Sequence, residues 1–525
     1  MNAASGGMAT RFGASLALLG LSACFVFRGT STDDVSLTDA GASRRIQTRV
    51  KAHLADGSTV VYPRGVELTG GTVVGSGTRY NFALTDSTPV DSLPLDSVVA
   101  MESFHTTVRP VETVLVSGLA TAAAGVAAIA IACALDPKCF GSCPTVYSDS
   151  AGTPVLEAEG FSYSIAPLFE RRDVDRLRAQ PDREGIVRLE LRNEALETHF
   201  INHLELIDVR HEPDEWVAPD AGGRPIAVRS VRPPRRAVDR RGRDVLPDVA
   251  AHDGRFFKSD AAILEAATAA DLGDWIDLEV PVPPGADSVA LVLRMRNSLL
   301  ATVVFYELML GDRGARALDW MARDLAQIAP AVDLGRWAVE HLGMRLAVFD
   351  GESWRPVGRI GDSGPVAWKD VIAIVPTFGR PVLAARLSFV ADNWRVDLIG
   401  AAAAWRRPEP ATIALAEVRQ ADGTPAPDAL AALRAADDRY VETTAGGRLA
   451  AGFAAEPAAP QVARTFFLAS QGYYLEWLRR DWLAAGHDST AFAPGSAALL
   501  DAVRRWRASQ DETERRFYAT RVPVR

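Results

Sequence analysis

Hydrophobic positions come in three rhythms along this chain, and each predicts a different element. The first is a short apolar run, residues 14–21, which follows Arg11 and is too brief to span a bilayer. Residues 26–45 are rich in Ser, Thr, Gly and Asp and read as a flexible tether. Beyond them, apolar runs around Val50 and at 59–62, 80–84 and 95–101 are separated by turns such as Asp56-Gly57 and Gly70-Gly71. That spacing predicts a small β-barrel of the SH3 or Sm kind over residues 46–109. Residues 114–135, VLVSGLATAAAGVAAIAIACAL, then run without a charge. Their length suits a transmembrane helix, with Gly118 and Gly125 on one face; a helix packed on the protein or lying at the membrane surface is the alternative.

From residue 139 the period shortens to two. Runs at 186–191 and 200–209 flank a turn at Asn193-Glu194, runs at 275–282 and 288–296 flank Pro283-Pro284-Gly285, and 301–310 continues the strand pattern. These predict an antiparallel, sandwich-like body. The Arg- and Pro-rich segment 219–260 reads as an insertion over its surface. Helical spacing takes over at 315–342, where Leu318, Met321, Leu325 and Ile328 form a stripe before Pro330 intervenes. Strands return at 345–349, 368–375, 383–390 and 394–399. A hairpin is expected at 465–478 about Gln471-Gly472, and a last helix from Ser496 should turn Leu499, Leu500, Val503 and Trp506 inward.

The expected class is therefore α+β, predominantly antiparallel β. Its plan is a signal peptide at 1–23, a tether at 24–45, a small barrel at 46–109 and a hydrophobic helix at 110–138. A sandwich-like domain at 139–310 follows, then a helical block at 311–342, a β-rich segment at 343–408 and a mixed C-terminal domain at 409–525.

Composition narrows the function classes. With 525 residues the chain is too long for one core, and 48% hydrophobic with 23% charged residues is ordinary for folded protein. The net charge of −9 arises from 57 basic and 66 acidic residues intermixed, which gives no electrostatic footprint for nucleic acid. A mean hydropathy of +0.02 excludes a polytopic membrane protein.

The first apolar run ends in Leu21-Ser22-Ala23-Cys24. This resembles the lipobox of bacterial lipoproteins: a branched apolar residue, two small ones, then the cysteine that takes lipid. The resemblance implies cleavage before Cys24, acylation of its thiol and a lipid-anchored envelope location. Phe25 stands where an Asp would suggest inner-membrane retention, so the outer membrane is favoured. Residues 114–135 would offer a second contact with lipid. The order of signal, small barrel, hydrophobic stretch, Ser142-Cys143-Pro144 and β-rich body resembles a group of uncharacterised bacterial envelope lipoproteins, from which no activity carries over.

Cys133, Cys139 and Cys143 remain. Cys139 and Cys143 flank Phe140-Gly141-Ser142, where the glycine allows a tight bend, and an oxidising envelope favours a bridge between them. Small buried thiols are the plain alternative. A metal site is the rival, with no histidine nearby to complete it.

Four constellations suggest chemistry. Gly361-Asp362-Ser363-Gly364-Pro365, with Ala250-Ala251-His252 and Asp287-Ser288-Val289-Ala290-Leu291, is similar to the three motifs of chymotrypsin-like serine proteases, in the same chain order. The resemblance implies Ser363 as nucleophile, His252 as base and Asp287 as its orienting carboxylate, although the second glycine of the nucleophile motif is missing. His199 and His203, with Glu197 and Glu205 near, have ligand spacing but lack an obvious third partner, and no metal or cofactor is expected. Arg235, Arg236, Arg240, Arg241 and Arg243 could meet lipid headgroups or anionic glycans, though Asp239, Asp244 and Asp248 are interleaved. Phe466, Phe467, Tyr473, Tyr474 and Trp477 could stack on a sugar, or build a hairpin core. The expected function is a non-enzymatic binding or scaffold lipoprotein with an unknown envelope protein or glycan as partner. A secreted serine hydrolase and a glycan-binding surface protein are the alternatives.

Overall fold

Short β-branched runs separated by glycine turns fold as their period demands. The computed structural model describes residues 28–35, 37, 43–81, 87–108, 144–150, 152–361, 363–457, 462–479, 482–483 and 494–519. Within them every paired strand is antiparallel. The fold is predominantly β, with sandwich- and barrel-like sheets.

The N-terminal unit is one eight-stranded sheet, running from Arg28–Asp34 to Val98–Val108. Two of its strands, Arg28–Asp34 and Arg44–Ile46, come from the segment read as a tether. Val50, Ala52, Leu54, Val60, Tyr62 and Met101 fill its core. Strand Val50–Leu54 is buried on both faces: its odd partners Lys51 and His53 turn away from that core.

The body is built round a nine-stranded sheet assembled from two distant stretches. Thr145–Ser150, Thr153–Glu159, Arg171–Arg176, Ile186–Arg192 and Glu197–His211 supply one part; Pro410–Gln420, Val441–Thr443, Arg448–Ala454 and Ala463–Glu476 supply the other. The pairing expected across Asn193-Glu194 does not occur. Ile186–Arg192 pairs with Arg448–Ala454, and Glu197–His211 pairs with Ala463–Glu476. The hairpin expected about Gln471-Gly472 is instead a continuous 14-residue strand. Gly472 serves close approach rather than a turn, since a Cβ there would lie 2.4 Å from the Phe200 carbonyl oxygen.

Between these stretches sits a sandwich. Its five-stranded sheet runs Arg236–Asp239, Gly273–Pro281, Val382–Val390, Met344–Phe349, Trp354–Ile360; its three-stranded sheet runs Lys369–Pro376, Ser288–Asn297, Trp394–Ala402. Ile276, Leu278 and Leu387 from one sheet meet Leu291, Leu293 and Trp394 from the other. Pro283-Pro284-Gly285 is thus an arch carrying the chain between sheets, not a hairpin turn, because the strands it joins have different neighbours. The Arg- and Pro-rich segment is not a surface loop throughout: Pro225–Arg229 and Arg236–Asp239 are strands, and Ala237, Val245, Val249 and Phe257 are fully buried. Strand pairing therefore runs across the boundaries expected at 310, 342 and 408.

Residues 301–310, expected to continue the strand pattern, are helical. Ser298 accepts the Leu300 amide at 3.1 Å to cap Leu299–Val303, and Val304–Leu310 continues as a π-helical turn. Apolar residues at nearly every position remove the periodicity that tells helix from strand. Pro330 falls in the first turn of Ile328–His341, where its missing N–H costs nothing. The last helix, Ser496–Ala519, buries Leu499, Leu500, Val503 and Trp506.

No helix among the described residues is long and apolar enough to cross a membrane, so the transmembrane helix expected from hydropathy is withdrawn. The stretch that suggested it, residues 114–135, lies outside the described residues, as do Cys24, Cys133, Cys139 and Cys143.

Candidate functional site

The three residues of the protease-like triad are held by other partners. Ser363 is buried, and its amide (2.6 Å) and hydroxyl (3.3 Å) both donate to Asn297 Oδ1. The loop it belongs to wraps a carboxylate: the Val366 and Ala367 amides donate to Glu159 Oε2 at 2.7 and 3.1 Å. Gly364, at φ +73°, leaves that carboxylate room, for a Cβ would stand 2.4 Å from it. His252 is largely exposed and lies 3.6 Å from Asp397, which Arg294 also holds at 3.1 Å. Asp287 is exposed, its carbonyl accepting from Thr377. Among the described residues no hydrogen bond or ion pair joins Ser363, His252 and Asp287. The stretch from Ser363 to Ala367 is a clamp between the sandwich and the nine-stranded sheet.

His199 and His203 point to opposite faces. The register shifts between Ile201 and His203, so His199 stands beside Tyr474 and His203 beside Gln471. Register partners share a face, and Tyr474 and Gln471, three residues apart on their strand, do not, so the bulge at Asn202 turns the two imidazoles apart. Among the described residues no group of three or more His, Cys, Asp or Glu could hold a metal. The five aromatics expected as a sugar platform are all buried, each at most 1% exposed, and so face protein instead of solvent. Of the arginines, Arg236 pairs with Glu279, Arg240 with Asp271, and Arg243 with Asp239; Arg235 and Arg241 are exposed.

The most concentrated chemistry lies where sequence reading caught only half of it. Glu197 and Glu476 are register partners on the two longest strands, both buried. Like charges set directly opposite repel, and burial penalises each again. The Tyr306 hydroxyl donates to Glu476 Oε1 at 2.8 Å, and Arg479 donates to Oε2 at 3.0 Å. Burial, with Glu197 opposite, nonetheless pushes the Glu476 carboxyl up to about 8. His199 stands 2.6 Å from Glu197, fully buried, and burial drives its imidazole down to about 3. A neutral His199 therefore donates from Nε2 to Glu197. Burial raises the Tyr306 hydroxyl well above its ordinary value. Arg479 also lies 4.2 Å from the centre of the Tyr306 ring.

Such a set of shifted groups is what an acid–base centre uses, but here it ties strands to the helical turn that carries Tyr306. A cavity of about 600 Å³ opens elsewhere, lined by Asp182, Arg183, Glu456 and Arg464 among others, none from this cluster. Glu197 and His199 were visible in sequence. Glu476 had one signal, a lone acid inside the apolar run Tyr473-Tyr474-Leu475-Glu476-Trp477-Leu478.

No family model matches the chain, and no curated protein does. Among solved structures, it is similar at TM-score 0.16 and 10% identity to a GH31 alpha-xylosidase from Xanthomonas citri, over 84% of this chain. It spans only 38% of that enzyme chain. A Sulfolobus Turreted Icosahedral Virus structure matches at TM-score 0.12 and 5% identity, over 64% of this chain and 90% of that one. The Gt strain of infectious bursal disease virus matches at 0.11 and 11%, over 93% and 89%. Scores this low carry no argument.

Proposed function

We propose that the chain is a lipid-anchored protein of the bacterial envelope, acting as a non-enzymatic binding or scaffold module. The observation that carries this is Leu21-Ser22-Ala23-Cys24 at the end of a short apolar run behind Arg11. The thiol of Cys24 would take the lipid, and Phe25 favours the outer membrane. Cys139 and Cys143 would close a bridge in that oxidising compartment. The N-terminal unit would serve as a small barrel of the SH3 or Sm kind beside a larger β body. The binding reading is further supported by the separate partners of Ser363, which bonds to Asn297, and His252, which lies beside Asp397.

Metabolic labelling with palmitate tests the anchor. The wild-type chain takes label; Cys24→Ser abolishes it and leaves the precursor. Label retained in Cys24→Ser would refute the anchor. A fluorophosphonate probe tests the non-enzymatic half, since covalent labelling of Ser363 would overturn it.

A further inference from the structure

The N-terminal unit meets the body through buried charge rather than through a purely apolar seam. Lys51 and His53 project from the face of Val50–Leu54 that turns away from the unit's own core, and both are 1% exposed. Each lies 2.9 Å from the same atom, Glu102 Oε2, on the neighbouring strand Val98–Val108. The body closes over Lys51, whose ammonium sits 5.7 Å from the Trp477 ring centre and 5.3 Å from that of Phe104 on the unit's own strand Val98–Val108. Around this point Phe104 packs on Phe200, Tyr80 on Trp477, and Val61 on Ala445 and Trp477. Arg49 pairs with Glu442 beside it.

We propose that this joint is an acid-released latch, in which protonation of His53 places two cations on one oxygen of Glu102 beneath Trp477 and lifts the N-terminal unit from the body. With His53 neutral the cluster holds one cation and one anion. Its Nε2–H donates to Glu102, and Nδ1 accepts from the Thr59 hydroxyl at 3.3 Å. A proton on Nδ1 leaves a net positive charge enclosed between protein surfaces, which is costly unless water reaches it. Separation of the two units supplies that water. The charged groups facing His53 are Lys51 on its own strand and Glu102 on the next. Strand Thr59–Tyr62 contributes only the Thr59 hydroxyl. From the body, the Trp477 and Ala445 side chains are uncharged, and Glu442 is taken by Arg49.

The sign is fixed by burial, which lowers the His53 imidazole from its ordinary value, with Lys51 adding to the effect against Glu102. A basic group depressed in the docked state favours docking above its free value and loses that preference as pH falls through the docked one. Acid therefore opens the joint.

Hydroxyl-radical footprinting of the whole chain between about pH 7.5 and about pH 4.5 reads it directly. Trp477, enclosed in the joint, should oxidise several-fold faster at the acid end. Trp394 in the sandwich and Met101 in the unit's own core should not change, since neither faces the joint. His53→Gln keeps a donor to Glu102 without a titrating site, and should hold Trp477 protected at both pH values. Equal Trp477 oxidation across the range in wild type would overturn the latch. A rise that persists in His53→Gln, or one that Met101 shares, would overturn it too, the latter by showing that the unit unfolds rather than lifts.

Discussion

Glu476 and His199 lie two hydrogen-bonded rows apart in one sheet, yet pH acts on them in opposite directions. The carboxyl of Glu476, raised to about 8 by burial and by Glu197 opposite, is protonated in the folded chain at pH values where an unfolded one is not. Its contribution is complete below the ordinary value of 4.5 and is lost as pH rises through about 8. Burial lowers His199 to about 3, so its contribution is present above 6.5 and disappears as pH falls through about 3. Chemical denaturation at a series of pH values should show wild-type stability falling as pH rises between about 4.5 and about 8, by a few kcal/mol at most. Glu476→Gln keeps the bond to Tyr306 without a titrating group and should abolish that fall. A slope unchanged in the variant would mean another group titrates there. Gly364→Ala tests the Glu159 clamp: positive φ and a Cβ against a carboxylate should cost about 2 kcal/mol or more in the same assay.

At the scale of elements, what held a strand in place was legible and what it paired with was not. Val382–Val390 alternates buried and half-buried along its whole length, and so its period of two stands out. The helix from Ser496 announces itself by spacing in the same way, with Leu499, Val503 and Trp506 on one side. Partners are another matter, for Glu197–His211 joins a strand some 260 residues on, and no local pattern carries that information. Residues 301–310 and the expected turn at Gln471-Gly472 depart from expectation for related reasons. A nearly continuous apolar run hides period, and a glycine admitting the Phe200 carbonyl looks like one that makes a turn. The clamp, the bulge at Asn202 and the Glu476 cluster lie beyond sequence because each depends on a contact across the fold. Two outcomes test the elements. Gly472→Ala should destabilise by roughly 3 kcal/mol through the clash it forces on the central strand pair. Trp506 donates to Asp392 at 2.6 Å from the middle of the last helix, and Arg395 holds the same carboxylate. Trp506→Ala loses the ring and the bond, about 3–5 kcal/mol, and limited proteolysis should then cut within Ser496–Ala519 before any other segment of the body.

The whole molecule is a sheet split in sequence by a sandwich. Pro410–Gln420, Arg448–Ala454 and Ala463–Glu476 lie inside the nine-stranded order rather than at its edge. A chain ending after Arg407 should therefore leave strands 145–211 without central neighbours, detectable as aggregation or protease sensitivity of that segment. A soluble truncated chain with those strands protected would contradict the pairing. The same topology sets a timetable for synthesis. Val209 and Pro410 are register partners, although about two hundred residues separate them, and closing so long a loop in a disordered chain costs about 5 kcal/mol. Once the sandwich has folded, its two ends emerge side by side, with Glu215 already gripping Arg406. Most of that entropy has then been spent inside a self-contained core. The inserted segment thus becomes the template on which the flanking sheet assembles. Until the ribosome delivers residues 448–476, tens of seconds after the first strands emerge, those strands wait with their apolar faces uncovered and in need of a holding partner.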